Sequence, residues 1–135
     1  MRVLLRVLLP LIMLATGAAG TWAADGRILS VTGEVRVNGQ PATTDTVLHR
    51  EDTIVTSAGG SVRIVLSDNS ILDLDSGSEI HLSDHVYDPA EPAENRSEVS
   101  VVEGTLRYVS GLIAKENPEH IRFTAGNSTI GVRGS

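Results

Sequence analysis

Cysteine is absent from the 135 residues. That excludes thiol chemistry, a disulfide framework and a lipid-anchored lipoprotein, so core and backbone pairing alone must hold the domain together. Aromatics are nearly absent too, with one Trp, two Tyr and one Phe. Trp22 falls in the N-terminal leader, which leaves Tyr87, Tyr108 and Phe123 for the folded part. The core must therefore be built from Val, Ile and Leu, residues that suit pleated sheet. Positive charge is in the minority, 11 Lys and Arg against 17 Asp and Glu. An acidic surface repels phosphate backbones and anionic lipid, so neither nucleic acid nor a charged membrane surface is an expected partner. Helical periodicity is also missing, and no window beyond a few residues reads as an amphipathic helix.

The N-terminus has the parts of a secretory leader. Arg2 and Arg6 give a positive start, residues 7–14 (VLLPLIML) an apolar core, and Ala15, Gly17, Ala18, Ala19 and Gly20 a small-residue exit. Thr21 and Ala23 stand at the two positions where a cleavage site wants small residues. Residues 1–23 are thus expected to be a signal peptide and 24–135 one small domain, with no stable membrane span after cleavage. Losing Arg2 and Arg6 takes the 11 basic residues to nine against 17 acidic, a mature charge of −8.

Beyond Arg27 apolar residues alternate with polar ones. The pairs are Val35/Val37, Ile64/Leu66, Leu72/Leu74, Ile80/Leu82, Val99/Val101, Leu106/Tyr108, Ile121/Phe123 and Ile130/Val132, with Ile28, Val31 and Ile54 before or between them. Period two puts one face in a core and the other in water. Turn formers punctuate the runs: Asn38-Gly39, Gly59-Gly60, residues 67–70, residues 75–78 and Glu103-Gly104. Asn-Gly after alternating valines is the strongest hairpin signal. The expected fold is all-β, a compact β-roll or solenoid-like stack, or a meander of short strands. The eight-residue rhythm of Ile64, Leu72 and Ile80 fits either, with the roll slightly favoured. Residues 84–97 (DHVYDPAEPAENRS) and 114–120 (AKENPEH) read as solvated loops on composition.

These stations, taken in order, resemble the FecR domain family. Residues 26–35 (GRILSVTGEV) are similar to its opening strand, and residues 51–56 (EDTIVT) to its G-D-x-I-x-T step, with Glu51 at the usual Gly. Residues 60–74 (GSVRIVLSDNSILDL) resemble its A-x-L-x-L-x-D-G-S-x-L-x-L rungs, with Asn69 at the usual Gly. Asn tolerates left-handed backbone, which makes that exchange sensible. Residues 101–106 (VVEGTL), 123–125 (FTA) and 130–135 (IGVRGS) are similar to the closing motifs. The resemblance implies a periplasmic module that receives signals by touching another envelope protein. Only Met1 to Arg6 precede the apolar run, so the cytoplasmic anti-sigma segment of the best-known members is not expected.

Candidate chemistry is sparse. His81-x-x-x-His85, with Asp84 and Asp88 nearby, invites a metal reading, but structural zinc needs three or four convergent ligands. Asp68, Asp73 and Asp75 could gather calcium; by alternation with Leu72 and Leu74 they read instead as solvated turn and strand-face acids. Arg133, between glycines, reads as a wet-face residue beside Val132. No nucleophile elbow or phosphate-binding glycine loop is present, so no catalytic, metal or cofactor residue is expected and the chain does not read as an enzyme. The leading expectation is a protein-interaction or signal-input module, whose binding could use a free strand edge. The alternative is a carbohydrate- or cell-wall-binding module, which needs exposed aromatic platforms; Tyr108 is expected to be buried, leaving only Tyr87. An envelope hydrolase is the third class.

Overall fold

The computed structural model describes residues 24–125 and 128–131; residues 1–23, expected to be a signal peptide, and the segment 132–135, with Val132 and Arg133, lie outside them. Among the described residues the chain forms β1 (Gly26–Thr32), β2 (Val35–Val37), β3 (Gln40–Pro41), β4 (Val47–Leu48), β5 (Thr53–Thr56) and β6 (Ser61–Leu66). There follow β7 (Ile71–Leu74), β8 (Glu79–Val86), β9 (Arg96–Glu103), β10 (Leu106–Val109), one short helix α1 (Leu112–Glu116), β11 (Ile121–Ala125) and β12 (Ser128–Gly131). The all-β reading holds.

The strands make two sheets. One has the order β10-β7-β6-β1-β4, the other β12-β11-β9-β8-β5-β2-β3. All pairings are antiparallel except β11 with β9. Ile28, Leu48, Ile64, Leu72 and Leu74 from the first sheet and Ile54, Ile80, Leu82, Val99 and Phe123 from the second share one apolar core. Of the three eight-residue rungs, β6 and β7 pair antiparallel, as in a meander, while β8 crosses to the other sheet.

Local chemistry explains the joints. Asn38 and Gly39 both have positive φ, 52° and 82°, which matches the twist of a tight hairpin and joins β2 to β3. The three-residue step from Ile28 to Val31 is a β-bulge: the register with β6 shifts between Ile28 and Ser30, so Leu29 is the extra residue.

The stretch 84–97 differs from the solvated loop expected of it. Asp84, His85 and Val86 pair with Glu98, Ser97 and Arg96, so β8 and β9 form a long hairpin and only residues 87–95 connect them. His85, Asn95 and Ser97 are buried. Polar side chains occupy inward positions there because they bond one another, with His85 Nδ1 and Ser97 Oγ 3.0 Å apart and the Asp88 N–H donating to Asn95 Oδ1 at 2.7 Å. The stretch 114–120 is likewise less exposed than its composition suggests. Ala114 is buried with Ile113 on α1, and Pro118–His120 forms a 3₁₀ turn.

Candidate interaction site

The histidine pair does not converge. In a regular strand residues four apart share a face, but the β8–β9 register shifts between Leu82 and Asp84, making Ser83 a bulge. His81 therefore stays on the outer side, its Nδ1 3.1 Å from the Thr53 hydroxyl. His85 turns into the interior, with Nε2 2.8 Å from Ser67 Oγ. Burial pushes the His85 imidazole below its ordinary value, against the opposing pull of Asp68, Asp25 and Asp84. Asp84 faces out and is held by Arg96 at 2.6 Å and Arg50 at 3.4 Å. Its burial works to raise the carboxyl, yet hydrogen bonds from Arg96 and Arg50 hold it below the usual range.

The three aspartates also separate. Asp68 is not the solvated turn acid that alternation suggested; it is fully buried. Its carboxylate accepts from Ser70 Oγ at 2.6 Å, Ser70 N–H at 3.2 Å and Ile113 N–H at 3.2 Å. A buried carboxylate persists here because three donors replace water, one of them at the start of α1. Asp73 is bound by Arg63 through two hydrogen bonds, 2.7 and 3.0 Å, which hold its carboxyl below the usual range. Asp75 is exposed. Among the described residues no group of three or more His, Asp and Glu could hold a metal ion.

Two of the concavities among the described residues bear on binding. A polar cleft of about 330 Å³ lies against Asp84, Asn95, Arg96, Glu98, His120 and Arg122. It carries both signs of charge, and its Arg96 and Asp84 already bond each other. The second, about 380 Å³, is an apolar groove lined by Val101, Leu106, Tyr108, Phe123 and Ala125, with Gly104 and Thr105 at one end. It opens where β10, the outermost strand of the five-stranded sheet, meets β9 and β11 of the other sheet.

Each wall of the groove follows from the chain. Gly104 has φ +88°, and a Cβ there would run into Ser78, so the turn into β10 is fixed by a residue without a side chain. β10 then alternates, with Leu106 and Tyr108 half-buried and Arg107 and Val109 exposed. Tyr108 meets Phe123 edge to face, ring centroids 4.9 Å apart. The Tyr108 hydroxyl is buried, and burial, with the nearby Asp68 charge, pushes the phenol up to about 12. Tyr87 too is half-buried against the core.

The groove itself escaped sequence reasoning. Leu106 and Tyr108 read as ordinary inward positions, and only the sheet order reveals that β10 has one strand neighbour among the described residues. The signal available was Val109, apolar at a wet position and 51% exposed.

Neither a curated protein nor a solved structure matches the chain. The family model described as FecR protein matches residues 52–135, more than half of the chain. That span runs from β5 through both walls of the groove, and the chain belongs to the FecR protein family.

Proposed function

We propose that the chain is an exported periplasmic signal-input module that binds another envelope protein and has no catalytic activity, its residues 1–23 removed as a signal peptide and 24–135 acting as one domain. Membership of the FecR family supports this reading. The observation that carries it is the apolar groove beside β10, since apolar surface gathered in a concavity at the margin of a soluble domain is what partner recognition uses. Among the described residues the interior hydroxyl–imidazole contact, Ser67 Oγ to His85 Nε2, argues for structure. The ring's other nitrogen meets the Ser97 hydroxyl, where a catalytic base would have a carboxylate to orient it.

The test is photo-crosslinking in the native envelope. A crosslinking amino acid would replace Val47, Val55, Arg107 or Val109, all exposed positions spread over both sheets. The expected result is a discrete adduct with one envelope protein. No protein adduct from any position, together with retention of the purified domain on cell-wall glycan, would give the carbohydrate-binding alternative its place.

A further inference from the structure

β10 has a strand on one side only. Leu106, Arg107, Tyr108 and Val109 pair with Leu74, Asp73, Leu72 and Ile71 of β7. Among the described residues no strand lies on the other side. An edge of this kind leaves alternate backbone N–H and C=O groups turned outward, a template for one more strand.

The side chains say what sort of strand fits. Toward the interior, Leu106 and Tyr108 open onto the groove with Val101, Phe123 and Ala125. On the outer face Arg107 stands opposite Asp73, but Asp73 is taken by the two hydrogen bonds from Arg63. Arg107 helps hold the Asp73 carboxyl low through its charge but makes no close ion pair of its own among the described residues. The strand already paired with β10 reads Leu72-Asp73-Leu74, apolar, acidic, apolar, against Leu106-Arg107-Tyr108. Both edges of β10 present the same side chains, so a second neighbour meets the same requirement.

We infer that the outer edge of β10 binds an extended segment of the partner protein whose side chains alternate apolar, acidic, apolar. The inference rests on the envelope-partner reading above and deepens it. The segment adds as a sixth strand to the five-stranded sheet, its apolar residues entering the groove and its acid meeting Arg107. Backbone hydrogen bonds supply affinity, and the groove and the cation supply selectivity. A single Arg on an edge also serves to discourage self-pairing, but that role alone leaves the groove beneath it without a use.

The probe is a soluble peptide copying the chain's own β7 segment, SILDLD (residues 70–75), titrated into the isotope-labelled mature domain and read by amide chemical shifts. The expected shifts fall on Leu106 to Val109 and on Phe123. Lysine in place of the peptide's first aspartate weakens binding by up to about fivefold, and Arg107→Glu reverses that preference, as cross-strand charge pairs do. Methylating the peptide's edge-facing amides abolishes binding. Equal binding of both peptides to both proteins, shifts on another face, or no shifts at up to about 1 mM peptide would overturn the inference. A crosslinked envelope protein captured only from Val47 or Val55 would sink the β10 site while leaving the envelope-partner reading intact.

Discussion

Glu51 sits with φ at +78°, in the left-handed region that costs an L-residue about 1–2 kcal/mol. Its N–H donates to the Leu82 carbonyl at 2.6 Å, which fixes the turn into β5. Its side chain is 79% exposed and only 3.7 Å contact with His81 holds it, so little compensates for the strain. The family motif has Gly at this step, and the backbone shows why. Glu51→Gly removes the strain and gives back part of the gain through the freer unfolded chain. The expected net effect is a stabilisation of about 0.5–1 kcal/mol, read as a higher urea midpoint at unchanged slope. A midpoint that falls would mean the Glu51 side chain contributes more than its exposure indicates. Asn69 (φ 69°) stands at the other usual Gly, and there the side-chain type suits the angle.

Elements were legible where apolar residues alternate. β6, β7 and the first half of β8 bury Val62, Ile64, Leu66, Leu72, Leu74, Ile80 and Leu82 as their period requires. Legibility ended where a polar residue took an inward position, at His85 and Ser97, because hydrophobic pattern cannot tell a hydrogen-bonded interior from a solvated loop. It ended also at α1, whose five residues are too few to show a helical period. That helix exists through its surroundings: Gly111 offers no side-chain cap, and Asp68 receives the Leu112 N–H on its carbonyl and the Ile113 N–H on its carboxylate. The groove shares this limit, since an unpaired edge is a property of sheet order. A Cβ on Gly111 would come within 2.5 Å of the Asp68 carbonyl oxygen and the Ser70 nitrogen, so Gly111→Ala pushes α1 off its carboxylate. The expected cost is about 1–3 kcal/mol, against no more than about 0.5 kcal/mol for Leu112→Ala next to it, 37% exposed. Equal costs in thermal unfolding would show that the docking of α1 on Asp68 does not matter to stability.

At the scale of the whole molecule, two sheets face each other across one apolar core, and His85 is a polar link between them. Its Nε2 reaches Ser67 at the end of β6 in one sheet, and its Nδ1 reaches Ser97 on β9 in the other. Burial lowers the folded-state pKa beneath the ordinary 6.5, although Asp68, Asp25 and Asp84 pull upward and Arg50 pushes down. Well above pH 6.5 the ring is neutral whether folded or unfolded, and its titration has no effect on stability. Below 6.5 the unfolded chain takes up a proton that the folded one resists, so stability falls, by up to about 1.4 kcal/mol per pH unit, until the folded value is reached. Asp73 and Asp84, held below 3.8 by their arginines, lose their contributions only in stronger acid, so the windows separate. His85→Gln keeps a side chain able to bond both serines while removing the titration. The variant is expected to be less stable than the parent at pH 7.5 and to lose less between pH 6.5 and 5. Parallel curves for the two proteins across that interval, in urea unfolding at matched ionic strength, would show that this imidazole is not what couples the sandwich to pH.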